Sequence, residues 1–136
     1  MHDALATAGL REDVTYRLTT PEREALLTPP EQPAGWPDVP YITLANPIAS
    51  DKTAMRHTLL AGLLDVAAAN ARHTDRQRLF EVGRVYLPQA DAALPAEPVR
   101  VGLLMMGPRD VPGWQNSVDR GVVDFYDLKG VIEALL

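Results

Sequence analysis

The sequence predicts an α+β domain, because one chain of 136 residues carries both helical and strand periodicities. Apolar residues between Thr53 and Arg72 recur at helical spacing and predict the main helix. Residues 79–87 alternate as in a strand, and residues 99–106 form a second, strongly apolar strand. A chain of this length ordinarily forms one domain, so we predict a single domain over residues 1–136.

The composition excludes several classes of protein. A net charge of -5 argues against a standalone nucleic-acid binder, which normally has a basic face. The chain has no cysteine, which rules out disulfides and thiolate metal sites. Its apolar stretches are far shorter than the roughly 20 residues that cross a bilayer, and its N-terminus shows no secretory leader. We therefore expect a soluble, cytoplasmic protein with no membrane partner.

The first part of the chain predicts a helix, a strand and a second, short helix. Residues 3–8 are typical of a helix that ends at Gly9. The alternation of Val14, Tyr16 and Leu18 with polar residues predicts a half-buried strand over residues 14–18. Thr20 is a predicted N-cap for a helix that starts at Pro21, where the missing N–H costs nothing.

A proline-rich connection follows. Half of the 12 prolines lie in residues 28–47, and proline restricts both itself and the residue before it. We therefore expect an irregular segment in which only residues 41–44 have strand character. Its tip, residues 32–36, is expected to be its most mobile part.

The main helix is predicted over residues 53–72, with Ser50 or Asp51 as its cap. Its apolar stripe is formed by Met55, Leu59, Leu63, Val66 and Ala67. The strand over residues 79–87 has apolar side chains on both faces. This pattern predicts a central strand of the sheet.

The last part of the chain predicts two strands and a helix. Residues 89–98 read as a turn, and the apolar strand over residues 99–106 is expected to be buried. A loop over residues 107–113 precedes a strand over residues 121–126. Asp127 is a predicted cap for a final helix. The apolar stripe of that helix consists of Leu128, Val131, Ile132, Leu135 and Leu136.

Patterns for metal, serine or phosphate chemistry are missing from the sequence. His57 and His73 would lie about 160° apart around one helix, so that helix cannot direct both at one metal. Neither Ser50 nor Ser117 lies in a nucleophile elbow. The glycines are too widely spaced for a nucleotide-binding loop.

Carboxylates leave two interpretations open. Glu81 could pair with Asp124 or Asp127 and act in acid–base chemistry, if the strands that carry them are neighbours. Alternatively, Glu81 is a structural partner of Arg56 or Arg84, because a buried charge needs such a partner. We favour the structural interpretation.

A small basic cluster follows the main helix. It could contact RNA, but it lacks the interleaved aromatic residues that favour single-strand binding. We interpret it as the solvated end of the helix. The cluster consists of Arg72, His73, Arg76 and Arg78.

Several segments, in this order, resemble the catalytic-like core of the beta subunit of phenylalanyl-tRNA synthetase, and together they span nearly the whole chain. They are Gly9–Tyr16, the Asn46-Pro47 pair within residues 44–48, Met55–Leu60 with Gly62–Leu64, Phe80–Tyr86, Val101–Leu103 with Trp114, and Asp124–Glu133.

The resemblance implies a class II aminoacyl-tRNA synthetase-like core, an antiparallel sheet flanked by helices, present here as a fragment. It also implies that the alpha subunit carries the aminoacylation site, whereas the beta core is catalytically silent and helps to assemble a heterotetramer. ATP and Mg are then used by the parent complex and not by this fragment, which needs no cofactor. Contact with tRNA-Phe is expected only through that complex.

One departure from a competent class II core supports this silence. Leu87 and Pro88 follow the Gly83–Tyr86 segment, at the place where such a core has an arginine that holds the ATP phosphate. Neither residue donates a charge-assisted hydrogen bond. No catalytic residue is therefore predicted.

The predicted site residues are structural or subunit-interface candidates. They are Asn46, Pro47, Met55, Arg56, Leu59, Leu63, Phe80, Glu81, Gly83 and Arg84. We expect a non-catalytic core domain of the beta subunit. The alternative is a standalone class II core paralogue that binds an amino acid or acts as a small-molecule ligase, with Glu81, Asp124 and Arg84 at its site.

Overall fold

The computed structural model describes residues 1–27, 39–110 and 121–136. Helices and strands are both present in these ranges, which confirms an α+β fold. The helices are α1 (His2–Thr7), α2 (Pro21–Ala25), α3 (Leu60–Asn70) and α4 (Phe125–Glu133). The strands are β1 (Arg11–Glu12), β2 (Leu18–Thr19), β3 (Ala54–Met55), β4 (Gln77–Arg84) and β5 (Val99–Met106). Within the described ranges, no helix has the length and apolar character that a membrane crossing requires.

The strands form a three-stranded sheet in the order β1-β4-β5 and a two-stranded sheet of β2 with β3. The central position predicted for β4 is confirmed. The larger sheet is mixed and not antiparallel throughout, because β1 runs parallel to β4 with Arg11 opposite Leu79. Parallel pairing needs a long crossover, and the chain between these two strands provides one. In the smaller sheet, β2 and β3 are antiparallel, with Leu18 opposite Met55.

The chain divides into two compact units. Unit 1 consists of Met1–Asp13, Leu63–Glu81 and Leu103–Leu136, and unit 2 consists of Val14–Gly62 and Val82–Gly102. Helix α3 and strands β4 and β5 therefore each contribute residues to both units.

Unit 1 has a hydrophobic cluster built on α3 and β4. Leu63, Ala67 and Leu79 are buried there, with Val66, Leu104 and Met106 packed against them. The predicted first helix is confirmed as α1, and Gly9 follows it with a φ of +84°. This left-handed conformation favours glycine, which explains why the helix stops at this position.

In unit 2, the short helix α2 begins where the sequence predicts. The Thr20 hydroxyl oxygen accepts a hydrogen bond from the Arg23 N–H at 3.3 Å, and Pro21 occupies the first turn of α2. The buried residues of unit 2 are unusually polar. Among the described residues of unit 2 they include Thr19, Glu24, Ala54, Arg56, His57, Leu59, Ala61, Val85 and Tyr86.

The main helix starts later than predicted. Residues 54–55 form β3, and the Met55 N–H donates to the Ile42 carbonyl at 2.8 Å. Helix α3 begins at Leu60, whose N–H is bound by the Thr58 hydroxyl at 3.2 Å, so Ser50 and Asp51 are not its caps. The four-residue spacing of Met55 and Leu59 is typical of a helix. The prediction is wrong here because the backbone of Met55 is hydrogen-bonded in strand pairing.

The strand predicted over residues 14–18 is also largely wrong. Only Leu18 and Thr19 form β2, while Val14 and Tyr16 are 81% and 73% exposed. Residues 41–44 contribute a single bridge, between Thr43 and Ala54. The predicted mobile tip at residues 32–36 lies outside the described residues.

The last part of the chain differs from the prediction in two respects. Strand β5 has the predicted bounds but is not buried, because it lies at one end of the sheet order and its first three residues are exposed. Residues 121–126 are not a strand: Val122 makes an isolated bridge with Pro108, and α4 begins at Phe125. The cap of α4 is Asp124 and not Asp127.

Candidate functional site

Arg56 is the centre of a buried polar site in unit 2, directly after β3. Its side chain is 4% exposed, and its Nε donates to the Arg84 carbonyl oxygen at 3.0 Å. Its Nη1 donates to the Thr15 hydroxyl oxygen at 2.9 Å and to the Tyr16 carbonyl oxygen at 3.4 Å. A guanidinium removed from water needs such acceptors, since an unsatisfied buried charge is very costly. Arg56 therefore ties residues 15 and 16 to the end of β4.

The backbone of Arg56 strengthens the same connection. Its N–H donates to the Arg17 carbonyl oxygen at 3.0 Å, and its carbonyl oxygen accepts from the Tyr86 N–H at 3.0 Å. Main chain and side chain thus bind the same two neighbouring segments. This arrangement is a structural clamp and leaves the Arg56 side chain little access to a dissolved substrate.

Gly62, in the first turn of α3, leaves the space that Thr15 occupies in this clamp. A Cβ atom at position 62 would collide with the Thr15 hydroxyl oxygen and lie 2.7 Å from the Thr15 Cβ. Because glycine has no Cβ, Thr15 can approach the helix closely and present its hydroxyl to Arg56. The glycine is part of the segment that the resemblance singles out, but its role becomes visible only in the fold.

A second buried group in unit 2, the Glu24 cluster, consists of Glu24, Tyr41 and His57. The Glu24 carboxylate accepts from the His57 N–H, at 3.1 Å and 3.3 Å to its two oxygens, and from the Tyr41 hydroxyl at 3.0 Å. The Tyr41 and His57 rings are stacked, with centroids 4.0 Å apart and planes 3° apart. No local sequence pattern indicates that the glutamate of a five-residue helix points inward, so this cluster was not predicted.

Burial shifts the pKa of each member of the Glu24 cluster. It raises the pKa of Glu24, and the hydrogen bonds from the His57 N–H and the Tyr41 hydroxyl oppose this in part. Burial, followed by the nearby Glu24 charge, raises the pKa of Tyr41. Burial lowers the pKa of His57. At neutral pH these shifts favour a neutral imidazole and a neutral phenol next to the glutamate.

Unit 1 holds an arginine–carboxylate cluster that includes Asp124 and Asp127. Arg109 Nε donates to Asp127 at 3.0 Å, and its Nη2 lies 3.5 Å from Asp124. Asp124 and Asp127 also form a reciprocal capping box at the start of α4. Arg76 and Arg78 donate to the Arg109 carbonyl oxygen, at 3.5 Å and 2.9 Å. These contacts account for Asp124 and Asp127 as structural groups.

The remaining predicted basic residues lie near the end of α3. Arg72 Nε donates to the Ala69 carbonyl oxygen at 3.1 Å, a contact typical of a helix C-terminus. His73 is exposed. Within the part of the chain that the structure describes, no three His, Asp or Glu side chains are grouped to hold a metal ion.

The predicted site residues differ mainly in burial. Five are buried: Arg56, Leu59, Leu63, Phe80 and Glu81. Met55 and Gly83 are half-buried, whereas Asn46, Pro47 and Arg84 are exposed. The fold brings the side chain of Arg56 to the carbonyl oxygen of Arg84, while the Arg84 guanidinium lies 3.4 Å from Glu97. The pairing of Glu81 with Arg56 or Arg84 stays a prediction.

Leu87 and Pro88, the residues interpreted as standing in place of a phosphate-binding arginine, lie shortly after β4. Leu87 exchanges two backbone hydrogen bonds with Ala96, at 3.0 Å and 2.9 Å, so this position continues the backbone pairing beyond β4.

Residues 1–136 match the family model described as the phenylalanyl tRNA synthetase beta chain CLM domain. The chain belongs to this family. The resemblance inferred from the sequence motifs is thereby confirmed.

Members of the family from several bacteria align with almost the whole chain. A beta subunit of phenylalanine–tRNA ligase from Symbiobacterium thermophilum is 42% identical over 134 residues, which are 98% of this chain and 14% of the relative. The beta subunit from Geobacter metallireducens is 38% identical over 138 residues, covering 100% of this chain and 16% of the relative. That of Hahella chejuensis is 42% identical over 133 residues, 97% of this chain and 15% of the relative. The chain thus spans about one-seventh of these relatives' length.

Proposed function

We propose that this chain is a non-catalytic core domain of a phenylalanine–tRNA ligase beta subunit. In this role it supports assembly with the alpha subunit, as part of a cytoplasmic heterotetramer that charges tRNA-Phe with phenylalanine. The observation that carries the proposal is the match of residues 1–136 to the beta-chain family. ATP and Mg act in the parent complex, and tRNA-Phe meets this chain only through that complex.

The lack of catalysis is supported by how the arginines are used. Arg56 is buried, with its Nε and Nη1 bound to acceptors of the protein itself. Arg84 is exposed and paired with Glu97. Leu87 and Pro88 offer no cationic donor for a phosphate, and the backbone of Leu87 is bound to Ala96.

We also propose a class II synthetase-like core in which residues 1–136 act as one domain. The central β4, with α3 preceding it along the chain, is compatible with such a core. The parallel β1 strand differs from the purely antiparallel sheet that the resemblance implies.

Burial divides the ten candidate residues by role. The buried members stabilise the fold and are shielded from a partner. The exposed members, Asn46, Pro47 and Arg84, are the ones whose side chains can reach an alpha subunit directly. The proposal therefore assigns subunit contact to these three residues.

Calorimetry tests the absence of catalysis. ATP and phenylalanine are titrated into the 136-residue chain, and we expect no heat of binding at micromolar ligand. Micromolar binding of ATP would contradict the proposal.

Co-purification tests the partner. The intact protein that carries this chain is expected to retain the alpha subunit from the same organism on an affinity column. Arg84→Glu is expected to weaken this retention, and the matched control Arg72→Glu, at the end of α3, is expected to leave it unchanged. Failure of the unmodified protein to retain the alpha subunit would contradict the proposal.

The alternative of a standalone amino-acid-binding paralogue or small-molecule ligase is less well supported. Its site would need Glu81 and Asp124 to meet a substrate. Glu81 is only 2% exposed, and Asp124 caps α4 and lies beside Arg109. A ligase activity that is lost in Arg84→Ala without a change in melting temperature would favour this alternative.

A further inference from the structure

The Glu24 cluster joins three distant parts of unit 2. Glu24 lies in α2, its hydrogen-bond donor Tyr41 lies 17 residues further along the chain, and the His57 N–H lies 33 residues further along. Glu24 is 1% exposed and His57 is 8% exposed, so both groups are shielded from water. One carboxylate and one ring stack thus hold the chain around Tyr41 against α2.

Further charged and polar groups among the described residues act on this cluster. Arg56 and the backbone of Thr58 act on Glu24 in addition to the other cluster members. Tyr41 also experiences the charge of Glu22. Among the described residues, His57 Nε2 is buried without a hydrogen-bond partner. The imidazole therefore has no acceptor in the described residues that would stabilise a second N–H at Nε2.

We propose that the Glu24 cluster is an acid-released latch, in which protonation of His57 separates its ring from Tyr41 and frees the chain around Tyr41 from α2. The proposal rests on the stacked geometry and on the buried Nε2. It does not depend on the function proposed above.

The imidazolium form is disfavoured at this site. A proton on the buried Nε2 would find no acceptor among residues 1–27, 39–110 and 121–136, so solvation of the cation favours movement of the ring to water. The His57 ring would then leave its stack with the Tyr41 ring, in which the two planes are 3° apart. The movement would also pull on the His57 backbone N–H that donates to Glu24. Because burial lowers the pKa of His57 below 6.5, the contribution of His57 to the latch is fully present above that pH and is lost as pH falls toward the lowered value.

Glu24 works in the opposite direction. Burial raises its pKa, so the folded latch takes up a proton on Glu24 more readily than the released chain does. Falling pH therefore favours the closed state through Glu24 while it favours the open state through His57. Removing the glutamate titration should make the release on acidification larger, and removing the histidine titration should abolish it.

Hydrogen exchange tests the latch in the intact protein that carries this chain. Exchange of two backbone amides, the His57 N–H that donates to Glu24 and the Leu44 N–H that donates to the Thr53 carbonyl oxygen, is compared at about pH 8 and about pH 5.5, after correction for intrinsic exchange rates. The variants are His57→Phe, which keeps an aromatic ring for stacking, and Glu24→Gln, which keeps an acceptor oxygen. His73→Phe is the matched control, because His73 is an exposed histidine outside the cluster.

We expect the unmodified protein and His73→Phe to lose protection of these amides at the lower pH. His57→Phe should keep its protection, and Glu24→Gln should show a larger loss than the unmodified protein. Equal losses in His57→Phe and the unmodified protein, or no loss in the unmodified protein, would overturn the proposal. If His57→Phe does not fold, the carbon-13 resonance of His57 gives a second measurement, and a pKa at or above 6.5 would equally overturn it.

Discussion

Arg56 donates from its guanidinium to the carbonyl oxygens of Tyr16 and Arg84 and to the Thr15 hydroxyl oxygen, all within unit 2. An arginine in a sequence motif of a synthetase family invites assignment to a nucleotide phosphate. In this fold the same forked donor holds residues 15 and 16 against the end of β4. Five donors in a fixed plane suit that task better than the single ammonium of a lysine.

Arg56→Met should lower the free energy of unfolding by at least about 2 kcal/mol, because buried acceptors lose their donors. The control Arg84→Met removes an exposed ion pair to Glu97 and should cost less than about 1 kcal/mol. Chemical denaturation of both variants measures the difference. Equal effects of the two substitutions would contradict a clamp at Arg56.

Two glycines of unit 1 with the same backbone conformation give a second comparison. Gly9 and Gly107 have φ values of +84° and +87°. A Cβ at position 107 would collide with the Asp75 carbonyl oxygen, whereas a Cβ at position 9 meets nothing within 4 Å.

Gly9→Ala should therefore cost only the left-handed conformation, about 1–2 kcal/mol. Gly107→Ala should cost clearly more, since the backbone at Asp75 must also move. Thermal or denaturant unfolding of both variants provides the measurement. A smaller loss in Gly107→Ala than in Gly9→Ala would show that the close approach to Asp75 is unimportant.

At the scale of elements, the start of α4 combines a capping box with an ion pair. The Asp124 carboxylate accepts from the Tyr126 N–H at 2.8 Å and the Asp127 N–H at 3.2 Å. Its own N–H donates back to the Asp127 carboxylate at 2.9 Å. This hydrogen bond is the main cause that lowers the pKa of Asp127, and Arg109 adds to it.

Asp124→Ala should destabilise the chain by about 1 kcal/mol, the usual cost of a lost N-cap. Helical amides at the start of α4 should exchange faster in this variant. Asp91→Ala, at an exposed turn, is the control and should change stability by less than about 0.5 kcal/mol. Unchanged exchange at the start of α4 would contradict the capping role of Asp124.

The sequence allowed prediction of elements whose signals are local. The stop of α1 at Gly9, the cap of α2 at Thr20 and a central strand, predicted over residues 79–87 and observed over 77–84, all follow from neighbouring residues. The start of α3 did not follow, because Ala54 and Met55 pair with β2, more than 30 residues earlier in the chain. Pairing at that distance outweighs helical spacing and leaves no mark in a short window of sequence.

The same distinction between local and long-range signals applies to the site residues. Arg56 and Glu81 were singled out from their sequence segments, and both prove to be buried. The contacts of Arg56 with Thr15 and of Glu24 with Tyr41 and His57 join residues far apart in the chain. They depend on how segments pack, so no periodicity could have indicated them.

At the scale of the whole molecule, the buried titratable groups set how stability depends on pH. The raised pKa of Glu24 means that the folded chain binds a proton there more readily than the unfolded chain. This carboxyl therefore adds stability as pH falls through its folded pKa, and loses that contribution as pH rises. Most paired surface carboxylates act in the opposite sense.

Glu24→Gln should reveal this sign. The free energy of unfolding of the unmodified chain, relative to that of Glu24→Gln, should rise as the pH is lowered from about 8 to about 5. Urea denaturation of both proteins across this range measures the difference. A difference that stays constant with pH would contradict a raised pKa at Glu24.

The close approach of Thr15 to Gly62 has a consequence for how related sequences can change. Any side chain at position 62 must take its space from the residue at position 15, where a Cβ–Cβ distance of 2.7 Å would otherwise result. A smaller residue at position 15 would make that space, but loss of its hydroxyl would remove an acceptor from Arg56. Substitutions at positions 15, 56 and 62 should therefore occur together among relatives, as a coupled set linking three separate stretches of sequence.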